Sequence, residues 1–218
     1  RLDITEYTQA AMVTTSVAMM KVMEERGIHA DVAAGLSLGE YCALVAAGVM
    51  TADDAIRTVR ERGILMQEAV PAGVGGMSAV LGMTADEINA VVDEIPNVQV
   101  ANYNCPGQIV ISGLKEAVET AAVKLKEAGA RRVIPLNVSG PFHSYLLEEA
   151  GEKLGRFLEN IPVSEPKIPY VANVTAAYVT KAEDVKPLLT RQVSSSVRWQ
   201  QSVETMLADG VDRFIEIG

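Results

Sequence analysis

The stretch that most limits how this chain can fold is Gly35-Leu36-Ser37-Leu38-Gly39. It follows a short apolar run, Val32-Ala33-Ala34. It leads into Tyr41-Cys42-Ala43-Leu44-Val45-Ala46-Ala47, which reads as a buried helix stopped by Gly48. A strand, a tight Gly-x-Ser-x-Gly turn and a helix, in that order, form the setting of a nucleophile elbow in an α/β layer architecture. The two glycines let the backbone turn sharply, so the serine oxygen is held out past the strand end. The helix behind it offers free N–H groups and a positive dipole end to a developing oxyanion. Ser37 is the candidate nucleophile; an ordinary turn serine is the competing reading.

A chain of 218 residues with 49% hydrophobic and 22% charged residues has the composition of a globular protein with a sizeable core. Aromatics make up only 5%, so the core must be aliphatic and methionine-rich. The net charge of −9 argues against nucleic acid and against an anionic membrane surface as partners. No apolar run reaches the length of a membrane span, and the first residues are polar and mixed, so neither a span nor a signal peptide is expected. Cys42 and Cys105 are the only cysteines, and no histidine cluster accompanies them, which argues against a disulfide framework and against a metal site. Cys42 is expected to be a buried free thiol on the helix after the elbow. These features predict a cytoplasmic location.

Along the chain, Thr5 to Gly27 reads as one helix, with Ala11, Met12, Ser16, Met19, Met20 and Met23 near a 3.6-residue period as its core face. Thr51-Ala52-Asp53-Asp54 opens a helix running to about Val70, with Thr51 as N-cap. Its apolar stripe is Ala55, Ile56, Val59, Gly63, Met66 and Val70. Pro71-Ala72-Gly73-Val74-Gly75-Gly76 reads as a hinge. Beyond it come a strand at 77–81, a helix at 84–95 with a Thr84/Glu87 capping box, a strand pair at 98–103 and 109–112, a helix at 115–128 and a strand at 132–138. That β-α-β-β-α-β order is the ferredoxin-like unit, complete within residues 73–138 and inserted into a larger domain formed by 1–72 and 139–218. The loop Ser139-Gly140-Pro141-Phe142-His143-Ser144 then runs into a helix faced by Leu146, Leu147, Ala150, Leu154, Phe157, Leu158 and Ile161. A strand at 168–172, helices at 182–189 and 198–208, and a strand over Phe214–Ile217 complete the reading.

A serine hydroxyl needs a base, and histidine is the usual one. This chain has two. His29 lies in a surface turn after a helix stop. His143 lies in a Gly-Pro loop at a helix start, where a scaffold presents side chains, and is the candidate base. No acid is plainly placed to orient it. Arg62 borders the apolar stripe of its helix, but Arg60 borders the opposite edge, so periodicity does not select between them.

Taken together, these residues resemble the malonyl-CoA:acyl carrier protein transacylases of bacterial fatty acid synthesis. The resemblance runs through Gly35-Leu36-Ser37-Leu38-Gly39-Glu40-Tyr41, Arg62-Gly63 and Asn102-Tyr103-Asn104-Cys105-Pro106-Gly107-Gln108. It continues through Gly140-Pro141-Phe142-His143, Ala172-Asn173-Val174-Thr175-Ala176, Arg191-Gln192, Val197-Arg198-Trp199 and Phe214-Ile215-Glu216-Ile217-Gly218. It implies an α/β fold: a hydrolase-like parallel-sheet domain with an inserted ferredoxin-like subdomain. It implies Ser37 as the acylated nucleophile, His143 as base, the main-chain carbonyl of Gln192 as the orienting acceptor, and the Leu38 N–H as one oxyanion donor. Arg62 would hold the malonyl carboxylate as a bidentate pair, and Phe142 would favour malonyl over α-methylated acyl groups. Leu36, Asn102 and Asn104 would also contact substrate. Leu36 stands where many members carry histidine. The family's opening strand with its Gly-Gln-Gly-x-Gln loop, which supplies a second oxyanion N–H, and the Pro-Gly after Gly218 have no counterpart, so a piece of a longer protein is expected.

The implied reaction moves malonyl from malonyl-CoA to the phosphopantetheine thiol of acyl carrier protein, with no bound cofactor and no metal, in a monomer. Arg131, Arg132, Lys181, Lys186, Arg191 and Arg198 are candidates for docking an acidic carrier. Two other classes stay open: a serine esterase or thioesterase using the same elbow, and an inactive fragment or binding module lacking half its oxyanion site.

Overall fold

The computed structural model describes residues 4–138 and 140–218; Ser139 of the Gly-Pro loop lies outside the described residues. Helix α1 (Thr5–Glu25) leads to strand β1 (Ala33–Ala34), and helix α2 (Gly39–Ala46) follows the elbow. Helix α3 (Ala52–Glu68) starts at Thr51, whose hydroxyl accepts from the Asp54 N–H at 3.1 Å as its cap. The chain then builds strand β2 (Gly75–Leu81), helix α4 (Ala85–Val92), strands β3 (Val98–Cys105) and β4 (Gln108–Leu114), helix α5 (Lys115–Glu127) and strand β5 (Arg132–Pro135). A short 3₁₀ turn over Tyr145–Leu147 precedes helix α6 (Glu148–Glu159). Strands β6 (Tyr170–Ala172) and β7 (Ala177–Val179) and helices α7 (Ala182–Gln192) and α8 (Trp199–Ala208) complete the order.

The fold is α/β with two sheets. In the first, β1 pairs in parallel with β6, and β6 pairs antiparallel with β7. Its core joins α1, α2, α3, α6 and α7 through residues such as Val17, Leu44, Val59, Leu154, Leu158 and Leu189. The second sheet is antiparallel in the order β3-β4-β2-β5, with a capping box of Thr84 and Glu87 opening α4. Helices α4 and α5 cover one face of it through Ile88, Val92, Val118 and Leu125 against Val80, Ile109 and Ile111. Because side chains alternate along a strand, Met77, Ala101 and Val110 point to the other face, where Phe142 packs against them. The Val197 N–H bonds to Ala101 O at 2.8 Å and the Tyr103 N–H to Val197 O at 2.9 Å, so β3 is tied to the segment leading into α8. Register shifts fall at Val100/Asn102 and Tyr103/Cys105 of β3, where bulges re-aim side chains.

Four expectations are corrected. The methionine stripe of α1 is not its core face: Met12 and Met19 are 51% and 47% exposed, while Gln9, Val13, Ser16, Val17 and Met20 are buried. The buried face includes two polar side chains, which a hydrophobicity pattern discounts. The buried face of α3 is rotated likewise: Thr58 and Arg62 are buried, and Ile56 and Val70 only partly so. A Cβ on Gly63 would lie 2.7 Å from Glu6 Cα, so this glycine lets α1 approach and turns the Arg62 edge inward. The Phe214–Ile217 strand is absent: no strand is assigned there, and Phe214 and Ile215 are exposed. Cys42 is half-buried rather than buried, and both cysteines are free.

Candidate active site

The elbow depends on its first glycine. A Cβ on Gly35 would stand 2.0 Å from the carbonyl carbon and oxygen of Gly39, whereas a Cβ on Gly39 would meet nothing within 4 Å. The chain crosses itself closely at Gly35, and that crossing throws Ser37 into the left-handed region with φ of 50°. Such a conformation costs a non-glycine residue about 1–3 kcal/mol and must be held by its surroundings. Asn173, just past the end of β6, does the holding. Its Nδ2 donates to Gly35 O at 2.7 Å, and its Oδ1 accepts from the Ser37 N–H.

His143 also has a positive φ, 56°, and is only 4% exposed. Its Nε2 lies 2.7 Å from Ser37 Oγ and its Nδ1 lies 2.9 Å from Gln192 O. A carbonyl can only accept, so Nδ1 carries the proton and Nε2 is left to accept from the serine hydroxyl. Burial, then the neighbouring Arg62 charge, lowers the His143 pKa to about 4, so the ring is neutral at pH 7. The side chain of Gln99 holds this loop from below: Nε2 donates to His143 O at 3.2 Å, and Oε1 accepts from the Tyr145 N–H at 3.0 Å.

The structure separates the two arginines that periodicity left equal. Arg60 pairs with Glu6 at 2.9 Å and stacks 4.7 Å from the Tyr7 ring centroid, away from the elbow. Arg62 is 2% exposed and reaches the serine: Nη2 lies 3.0 Å from both Ser37 Oγ and Gln192 Oε1, and Nη1 donates to Gln9 Oε1 at 2.7 Å. Its Nε has no hydrogen-bond partner, and among the described residues no carboxylate forms a salt bridge with it. A buried cation held by neutral amides has unused capacity for an anion.

Leu38 lies at the N-terminal end of α2, and its N–H donates to no described residue. An open cavity of about 580 Å³ joins Ser37, His143 and Arg62 with Leu36, Leu38, Asn102, Asn104 and Phe142, and its wall includes Met77, Val110 and Trp199. All the site residues expected from sequence, save Gln192, line this space. Gln192 is buried behind it. Sequence reasoning missed Gln9 entirely. It also missed the side chains of Gln192, Glu40 and Asn173, although each stands inside a quoted motif. The one available signal was Glu40, a charge in the first turn of an otherwise apolar helix. His29 is exposed and takes part in none of these contacts. Of the basic candidates, Arg131, Arg132, Lys181, Arg191 and Arg198 are exposed, while Lys186 donates to Glu159 O at 3.2 Å. Among the described residues no cluster of potential metal ligands occurs, and no helix is long and apolar enough to cross a membrane.

Comparison with known proteins gives a consistent result. Residues 1–218 match the acyl transferase domain family. The malonyl CoA-acyl carrier protein transacylase of Bacillus subtilis is 48% identical over the whole chain, which spans 70% of that protein. The crystal structure of an acyl carrier protein S-malonyltransferase from Vibrio cholerae superposes with a TM-score of 0.97 at 44% identity, covering all of this chain and 72% of that one. A malonyl-transacylase solved in complex with a type II PKS acyl-carrier protein superposes with a TM-score of 0.93 at 44% identity, covering 96% of this chain and 69% of that one. With its elbow, imidazole and buried guanidinium converging on one hydroxyl, this chain belongs to the acyl transferase domain family, among the malonyl CoA-acyl carrier protein transacylases.

Proposed function

We propose that the chain transfers a malonyl group from malonyl-CoA to the phosphopantetheine thiol of acyl carrier protein through a malonyl ester on Ser37. The reading rests on one observation: a buried guanidinium without a carboxylate partner lies 3.0 Å from the same hydroxyl oxygen that the imidazole approaches at 2.7 Å. An acyl group that carries its own carboxylate satisfies that cation, and an uncharged one does not.

In the first half-reaction the Ser37 proton passes to His143 Nε2 while Oγ attacks the thioester carbonyl. The Leu38 N–H, at the head of α2, donates to the oxyanion. Collapse expels coenzyme A as a thiol, protonated by His143 Nε2–H, and leaves the ester with its carboxylate on Arg62. In the second half the carrier thiol gives its proton to Nε2 and attacks the ester, and Ser37 Oγ recovers the proton as it leaves. The Gln192 carbonyl holds Nδ1–H throughout, so the ring stays in one tautomer. Phe142, with Leu36, Asn102 and Asn104, forms the wall that the acyl group and the pantetheine arm meet, and Phe142 limits room for an α-methyl group. A cytoplasmic monomer docking its acidic carrier through local basic side chains such as Arg191 and Arg198 completes the proposal.

The test is a turnover assay with malonyl-CoA and holo acyl carrier protein. Formation of malonyl-carrier with little free malonate supports transfer. Rapid release of malonate independent of the carrier would make the protein a thioesterase instead.

A further inference from the structure

Behind the catalytic groups lies a second layer that the reaction above does not use. Glu40 is 1% exposed on the first turn of α2. Its Oε2 accepts from Gln192 Nε2 at 2.7 Å and from the Asn173 N–H at 3.1 Å. The same Gln192 amide donates to Ser37 O at 3.0 Å and accepts from Arg62 Nη2 at 3.0 Å. A line of hydrogen bonds therefore runs from a buried cation, through one amide, to a buried carboxylate.

We propose that Glu40 is a positioning residue for the acyl-carboxylate subsite, acting through the Gln192 amide as the resting counter-charge of Arg62 and giving up that place when a substrate carboxylate arrives. Without a substrate, Arg62 and Glu40 balance each other across Gln192, which fixes the guanidinium beside Ser37 and fixes the backbone whose carbonyl holds His143. A carboxylate bound to Arg62 neutralises the cation and adds a second anion near Glu40. Two anions sharing one buried cation are unfavourable, so one of them takes a proton. The bound carboxylate keeps its pairing with the guanidinium, and Glu40 accepts the proton from solvent. The inference rests on the malonyl reading of the site.

The groups around Glu40 leave it as the acceptor. On its own helix stands Tyr41; from α3 comes Arg62; from β6 comes Tyr170; Asp184 of α7 acts on Tyr170. Both tyrosines are held well above their usual range by burial and stay protonated. Burial raises Glu40 to about 7, against the hydrogen bonds from Gln192 and Asn173 and the Arg62 charge that lower it. His143 is the one other group able to take a proton, since Arg62 also holds its pKa down.

The test uses Ser37→Ala protein, which cannot turn over, and calorimetric titration with malonyl-CoA near pH 7 in two buffers of different ionisation enthalpy. The expected result is uptake of about half a proton per malonyl-CoA bound, as a half-ionised acid becomes fully protonated, with none on binding acetyl-CoA. In the Ser37→Ala/Glu40→Gln double variant the uptake should vanish while malonyl-CoA still binds. Preferred binding of malonyl-CoA without proton uptake overturns the inference and leaves the malonyl reading standing. Uptake that survives Glu40→Gln moves the proton to His143 and also overturns it. Equal affinity for malonyl-CoA and acetyl-CoA removes the malonyl reading, and the inference with it. Infrared difference spectra of carboxyl-labelled glutamate in the Ser37→Ala protein need no Glu40 variant: a protonated-carboxyl band should appear on adding malonyl-CoA, and its absence contradicts the proposal.

Discussion

Arg62 Nη2 donates to Ser37 Oγ across 3.0 Å, so the buried cation touches the nucleophile rather than merely facing the cavity. The same charge lowers the proton affinity of His143. One guanidinium thus favours the serine alkoxide and opposes the imidazolium that must form with it. A substrate carboxylate on Arg62 removes the second effect.

Arg62→Ala should lower kcat/KM for malonyl-CoA by on the order of a hundredfold or more, the scale of about 3 kcal/mol for a buried charge pair losing one partner. Transfer from acetyl-CoA should fall far less, or rise. Arg62→Lys should not restore malonyl transfer, because an ammonium cannot make the planar two-point contact. Steady-state kinetics with both donors decide this. An unchanged malonyl-to-acetyl ratio in Arg62→Ala would remove Arg62 from the acyl subsite.

The pH dependence of acylation should not show an ordinary histidine. With the His143 pKa lowered to about 4, kcat/KM should show no acid limb at pH 6.5 and should fall on the acid side only as pH approaches 4. A limb centred at 6.5 would mean that the ring is solvated in the working enzyme.

Stability carries the opposite signature for the two buried groups. His143 has a depressed folded pKa, so the unfolded chain binds more protons between about 4 and 6.5 and stability rises with pH there. Glu40 has a raised one, so its contribution is full below 4.5 and is lost as pH rises through about 7. Glu40→Gln removes only the second effect. The melting temperature of that variant, relative to the parent, should move in the variant's favour between about pH 5 and about pH 8. A pH-independent difference would show that Glu40 is not titrating in the folded protein.

The two glycines of the elbow should respond unequally. Gly35→Ala places a Cβ against the Gly39 carbonyl and should cost about 3 kcal/mol or more in urea unfolding. Gly39→Ala meets open space inside α2 and should be neutral, or stabilise by up to about 1 kcal/mol. Equal losses at both positions would contradict the crossing geometry.

The parts of this site that could be read in the sequence are those whose chemistry leaves a local trace. A serine between glycines, a histidine after Gly-Pro and a capped helix carrying Arg62 each announce themselves within a few residues. The support for them does not. Gln9 lies 53 positions from the guanidinium it binds, and Gln192 lies 152 from Glu40. A buried polar residue reads in a periodicity search as a flaw in an apolar stripe. For that reason periodicity picks the wrong face of α1 and does not tell Arg62 from Arg60. The β-α-β-β-α-β order could be read because most of its elements end at local signals, such as the Thr84/Glu87 cap of α4 and the Pro106-Gly107 turn between β3 and β4. The Phe214–Ile217 segment has strand composition, but strand formation depends on a partner edge, and composition carries no information about that.

The most direct measurement is the intact mass of the protein after brief exposure to malonyl-CoA without carrier. One added malonyl group is expected, removed on addition of holo acyl carrier protein, with none on the Ser37→Ala protein. No adduct on the parent protein, or an adduct of equal yield on Ser37→Ala, would contradict acylation of Ser37.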